Sequence, residues 1–174
     1  MKKLATSLFL ALVIAVPASA ANLSAQDVAA LDAIIDQSNA AFLRADAAGI
    51  ADVTSERLLE AVGGRDKYIE SIQAGMKAAQ AQGITVVSHH MDAPTAPILA
   101  DGFILSVVKE VTVMASHGRQ LRNDGFTVVV RPARGGAWKL IGGNGVAQNP
   151  GVISMLYPGF PADYKFPPYT TVPQ

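Results

Sequence analysis

The sequence predicts an α+β domain: helices first, then a curling antiparallel meander of about four strands. Three observations carry this. Apolar residues recur at helical spacing up to Gln82, and the period changes to two from Ile84 onward. The connections at Asp101-Gly102 and around Ser116-His117-Gly118-Arg119 are a few residues long. So tight a turn can join only antiparallel neighbours, since a parallel return needs a dozen residues or more.

The chain opens with a basic pair, Lys2-Lys3, an apolar run Leu4 to Val16 and the small-residue pattern Ala18-Ser19-Ala20. The run is too short to span a bilayer, so residues 1–20 are expected to be an export signal and the mature protein periplasmic or secreted. Ser24 and Asp27 form an N-cap, and Val28, Leu31, Ile35 and Phe42 follow on one stripe, which predicts a helix from Ala25 to Ala45. Short helical turns are expected around Ile50–Val53 and Glu56–Ala61, closed by Gly63-Gly64. Arg65 to Gln82 is the second long helix, with Tyr68 or Ile69, then Ile72, Met76 and Ala79 as its stripe.

Strict alternation from Ile84 places Ile84, Val86, Ser88 and His90 on one face and Thr85, Val87, His89 and Met91 on the other. Pro94 and Pro97 break this strand, and Ile98-Leu99 is a short apolar piece. Phe103–Ala115, Leu121–Arg131 and Ala137–Gly142 complete the ribbon, with Pro132 at a strand end where its missing amide costs nothing. Residues 21–145 thus form the domain, and 146–174 form a tail with six of the ten prolines and five aromatics. Pro150 to Leu156 is expected to make a turn or two of helix. The remainder is expected to run extended without regular hydrogen bonding, its aromatics packed along the domain.

Composition excludes several functions. Hydrophobic residues make up 50% of the chain and charged residues 16%, with no cysteine, so disulfides and thiolate metal sites are out. Without Lys2 and Lys3 there are 12 basic and 14 acidic residues, a net charge of −2, and no basic stripe. Nucleic acid is not an expected partner, and no membrane span is expected in the mature chain. His89 and His90 are neighbours on a strand and point apart, so no metal site is expected; no cofactor is implied either. No G-x-S-x-G is present, and Gly142-Gly143-Asn144-Gly145 lacks a following helix with dinucleotide spacing.

The helix, the short turns, "GGRDKYIESI", the meander and "AWKLIGG" together resemble exported members of the nuclear transport factor two-like superfamily, also called SnoaL-like. The resemblance covers most of Asp27 to Pro168, and "LYPGFPADYKFPP" resembles the proline-rich ending of relatives in that branch. It implies a strongly bent sheet, a cystatin-like cone wrapped on the helices, with an apolar pocket at the wide end and a homodimer through the sheet's outer face. Fold alone does not decide activity there, because members include isomerases, cyclases, dehydratases and binding modules.

The leading expectation is an exported, non-catalytic module that holds a small apolar ligand. Tyr68, His90, Lys109 and Trp138 are its candidate contacts: a hydroxyl near the start of the long helix, two polar groups on strands, and an aromatic wall. The alternatives are a ketosteroid-isomerase-like lyase or isomerase with His90 or Asp92 as base, and an envelope interaction domain working through the tail. Lys109 and Glu110 interrupt a valine-rich strand and must face opposite sides, so one stands on an apolar wall. One is expected to be solvated and the other to sit in a cross-strand ion pair.

Overall fold

The computed structural model describes residues 23–173; the expected export signal lies outside the described residues. Among the described residues four helices come first: α1 Ala25–Leu43, α2 Ala47–Val53, α3 Glu56–Ala61 and α4 Arg65–Ala81. Helix α1 begins where its cap dictates. Ser24 Oγ accepts from the Asp27 amide at 3.1 Å, and the Asp27 carboxylate accepts from the Ser24 amide at 3.3 Å, so two otherwise orphaned donors are satisfied reciprocally.

Among the described residues the sheet is antiparallel and open, and it holds six strands rather than about four. These are β1 Ile84–Pro94, β2 Ile98–Ala100, β3 Phe103–Ser116, β4 Arg119–Pro132, β5 Lys139–Gly142 and β6 Thr170–Pro173. The main order is β1-β3-β4-β5. Strand β2 pairs with β3 beyond the end of β1, and β6 pairs with β4 beyond the end of β5, so the six strands occupy four columns. Strand β6 corrects the expectation of a tail without regular hydrogen bonding. Pro167 and Pro168 cannot donate, but Thr170, Thr171 and Val172 keep their amides, and β5 pairs only with Thr127–Val130, leaving Leu121–Asp124 available to β6. Both tight hairpins have two-residue turns with positive φ at both positions: Asp101 (48°) and Gly102 (74°), His117 (50°) and Gly118 (76°).

A β-bulge overturns the expected faces of β1. Its register with β3 shifts by one between Val86 and Ser88, so Val87 is the extra residue and the alternation changes phase after it. His89 and Met91, not Ser88 and His90, therefore share the inner face with Ile84 and Val86.

Both faces of the sheet are buried. On one face Leu31 and Ile35 of α1 and Val53 of α2 pack with Met91, Val108, Val129, Trp138 and Leu140. On the other, Leu105, Val107, Phe126, Val128, Val130 and Ile141 are covered by two short helices, α5 Gly143–Gln148 and α6 Gly151–Leu156, and by the tail beyond them. Strand β4 is accordingly buried without interruption from Gly125 to Val130, as a strand covered on two sides must be. Helix α4 contributes to neither cluster; its stripe Tyr68, Ile69, Ile72, Met76 and Ala79 is only half-buried.

Candidate functional site

The chain crosses the free edge of β5 between α2 and α3. The Ser55 amide donates to the Leu140 carbonyl at 2.9 Å, and Thr54 bridges Leu140 in parallel. This crossing takes the chain from the helical face to the tail face and sets α3 above the ends of β3, β4 and β5. Here lies an open cleft of about 380 Å³, whose lining includes Ser55, Arg57, Glu60, Phe103, Lys139 and Tyr157.

Arg57 dominates it. Its Nη1 donates to Asp101 Oδ2 and to the Leu156 carbonyl, both at 2.6 Å. Its guanidinium carbon stands 4.4 Å from the Phe103 ring centroid and 5.0 Å from that of Tyr157, while the two rings meet edge to face at 5.1 Å. The Tyr157 hydroxyl shares a 2.7 Å hydrogen bond with Ser55 Oγ, and burial pushes its pKa up, which keeps it neutral. Lys139 Nζ donates to the Asp52 carbonyl at 2.7 Å. The result is a fixed cation against an aromatic corner, with hydroxyls, a second cation and the carboxylates of Glu56 and Glu60 around it.

A second polar group is buried within the sheet. Glu110 accepts from Thr127 Oγ1 at 2.7 Å and from Tyr169 Oη at 2.8 Å. Gly125, the partner of Glu110 in the β3–β4 ladder, makes this possible: a Cβ there would lie 2.6 Å from the Tyr169 ring, so only glycine lets the ring cross β4 to reach the carboxyl. Burial raises the Glu110 pKa, and the two hydroxyl donors only partly offset it. Burial and the Glu110 charge both raise the Tyr169 pKa. On the neighbouring rung His89 Nδ1 hydrogen-bonds Thr112 Oγ1 at 2.8 Å under the Phe42 ring, and burial lowers the histidine pKa, favouring neutral imidazole.

The residues expected to form a site do not converge. His90 and Asp92 turn outward because of the bulge, with side chains 75% and 53% exposed and a His90 Nε2 to Asp92 Oδ1 separation of 3.5 Å. Tyr68 is half-buried on α4. Lys109 is exposed, and Glu110 turns inward. The inward carboxyl is held by two hydroxyls, not by the cross-strand cation expected, because Gly125 and not a basic residue stands opposite it. Trp138 is 2% exposed in the helix-side core. Sequence reasoning missed Ser55, Arg57, Lys139 and Tyr157. Only Tyr157 carried a signal, as the first aromatic of the tail; Arg57 in "SERLLEA" reads like any solvated arginine on a short helix.

No family model matches the chain, and no curated protein matches it as a relative. Among the described residues no group of three or more His, Asp or Glu is placed to hold a metal ion, and no helix is long and apolar enough to cross a membrane.

Proposed function

We propose that the chain is an exported, non-catalytic small-molecule-binding module of the nuclear transport factor two-like type, with its ligand in the cleft at the β5 edge. The element order supports the family: helices first, then an antiparallel meander with the long N-terminal helix on one face. In this reading the four columns bend into the cystatin-like cone. The observation that carries the binding site is Arg57, clamped between Asp101, the Leu156 carbonyl and two aromatic rings. A guanidinium so held loses little further side-chain entropy on meeting a ligand. The wall suits a mostly apolar molecule with one carbonyl or carboxylate, which would share Arg57 with Asp101.

A homodimer through the outer sheet face has less support, since the chain's own tail covers that face. The interaction-arm reading of the tail weakens for the same reason. The acid/base alternative rests on Glu110 in place of His90 and Asp92, a buried carboxyl held by Thr127 and Tyr169 whose pKa burial raises. That reading requires a turnover that Glu110→Gln abolishes in a folded protein.

Native mass spectrometry of protein purified from its own host, followed by titration with sodium benzoate, tests the binding reading. A retained small molecule, or saturable benzoate uptake, that Arg57→Leu weakens at least tenfold is the expected result. A protein that emerges empty and takes up no benzoate overturns it.

A further inference from the structure

The second cleft, about 370 Å³, lies at the opposite side of the sheet's end, between the start of α1 and the β4–β5 turn. Ser24, Asp27, Ala30, Arg131, Arg134 and Trp138 are among its lining residues. Two of them hold buried donors that find no acceptor among the described residues: the Trp138 indole Nε1 and the Arg131 Nε. An unpaired buried N–H forfeits its hydrogen bond to water with nothing in return, so two in one place call for an explanation. The other nitrogens of Arg131 are engaged: Nη2 with Asp27 Oδ1 at 2.7 Å and Nη1 with the Pro132 carbonyl at 2.9 Å. The guanidinium carbon stands 5.2 Å from the Trp138 ring centroid, so the cation packs against the indole that carries the other free donor.

We infer that this cleft is a second binding site, for the carboxylate of a small organic acid, which accepts from Trp138 Nε1 and Arg131 Nε together. The charge balance selects the class. Arg131 and Arg134 against Asp27 leave one net positive charge, which a monoanion neutralises and a phosphate dianion would exceed. Ala30, Ala133 and the indole give a short alkyl tail an apolar place to lie.

Trp138 is the only tryptophan in the chain, so a single indole N–H signal reports on this cleft. The test is a titration of the full chain with sodium butyrate at constant ionic strength, read by the indole cross-peak in proton–nitrogen NMR spectra. A saturable downfield shift is expected with butyrate and none with sodium chloride. Inorganic phosphate is expected to bind at least tenfold more weakly. Arg131→Lys keeps the charge facing Asp27 but removes the Nε donor; it is expected to weaken butyrate at least tenfold, with the indole peak still dispersed as in a folded protein. Arg57→Leu, in the other cleft, is expected to leave this titration unchanged. An indole peak that does not move, that moves equally with chloride, or that titrates identically in Arg131→Lys overturns the proposal; phosphate binding as tightly as butyrate overturns the monoanion assignment.

Discussion

The two faces of the sheet are covered by opposite kinds of chain. The helical face is sealed by regular structure: α1 lays Leu31 and Ile35 on Val108 and Val129, and each residue is one step of a 3.6-residue period. The tail face is sealed by the two short helices α5 and α6 and, beyond them, by irregular chain. Tyr157, Phe160 and Phe166 are not on a common helix or strand, yet Phe166 stacks on Phe126 at 5.1 Å and on Phe160 at 5.9 Å, with Tyr164 edge-on at 4.8 Å. A regular element repeats its contacts, so its cover is redundant. An irregular one depends on single large side chains and on close approaches of backbone, and should be the more brittle.

The sharpest way to break the tail face is Gly143→Ala. A Cβ there would lie 1.7 Å from the Phe126 carbonyl oxygen, a backbone atom that cannot swing aside, so α5 would have to leave β4. The expected outcome is loss of the cooperative unfolding transition in circular dichroism. Next comes Phe160→Ala, expected to cost about 3–5 kcal/mol in urea unfolding, against about 2–5 kcal/mol for Leu31→Ala on the helical face. If Leu31→Ala proves the more damaging by more than the width of those ranges, the contrast in brittleness fails. Tyr169→Phe strips Glu110 of one donor and is expected to cost about 1–3 kcal/mol.

Two carboxylates sharpen the comparison through pH. Burial raises Glu110 in the folded state, so folding favours its neutral form; that contribution is complete below the ordinary glutamate pKa and is lost as pH rises through the folded value. Asp27 is the reverse. The Ser24 hydroxyl, and then the Ser24 amide and Arg131, hold it low, so its contribution is present above the ordinary aspartate pKa and is lost as pH falls through the folded value. Glu110→Gln should therefore flatten the decline in stability on the alkaline side of the glutamate range, and Asp27→Asn should flatten the decline on the acid side. Chemical denaturation at a series of pH values separates them; a Glu110→Gln profile parallel to wild type would show that this carboxyl is ionised at no net cost. The smallest effect is expected from Ser24→Ala at the exposed cap, about 1 kcal/mol.

The helices and hairpins were legible because each rests on local chemistry: the Ser24–Asp27 cap, the stripe of α1, Asp101-Gly102 and His117-Gly118 at the turns. The faces of β1 were not. A bulge adds one residue without changing composition, and that one residue exchanged His89 for His90 on the inner wall. Glu110 was visible as a charge in a valine-rich strand, but its partners were not, since Tyr169 lies 59 positions away and reaches it only over Gly125. Strand β6 was hidden by its prolines.

The sequence by itself determined the α+β class, the order of helices before ribbon and the antiparallel connections, because periodicity, caps and turn residues act between neighbours a few positions apart. Tertiary structure alone decided that the tail roofs the outer face and that α3 carries Arg57 around the β5 edge to Phe103 and Tyr157. It alone decided, too, that Trp138 and Arg131 meet at a cleft, each with one buried donor unmatched among the described residues. Those are contacts between residues far apart in the chain, and they follow from which surfaces remain uncovered once the sheet has formed, a quantity that no short stretch of sequence contains.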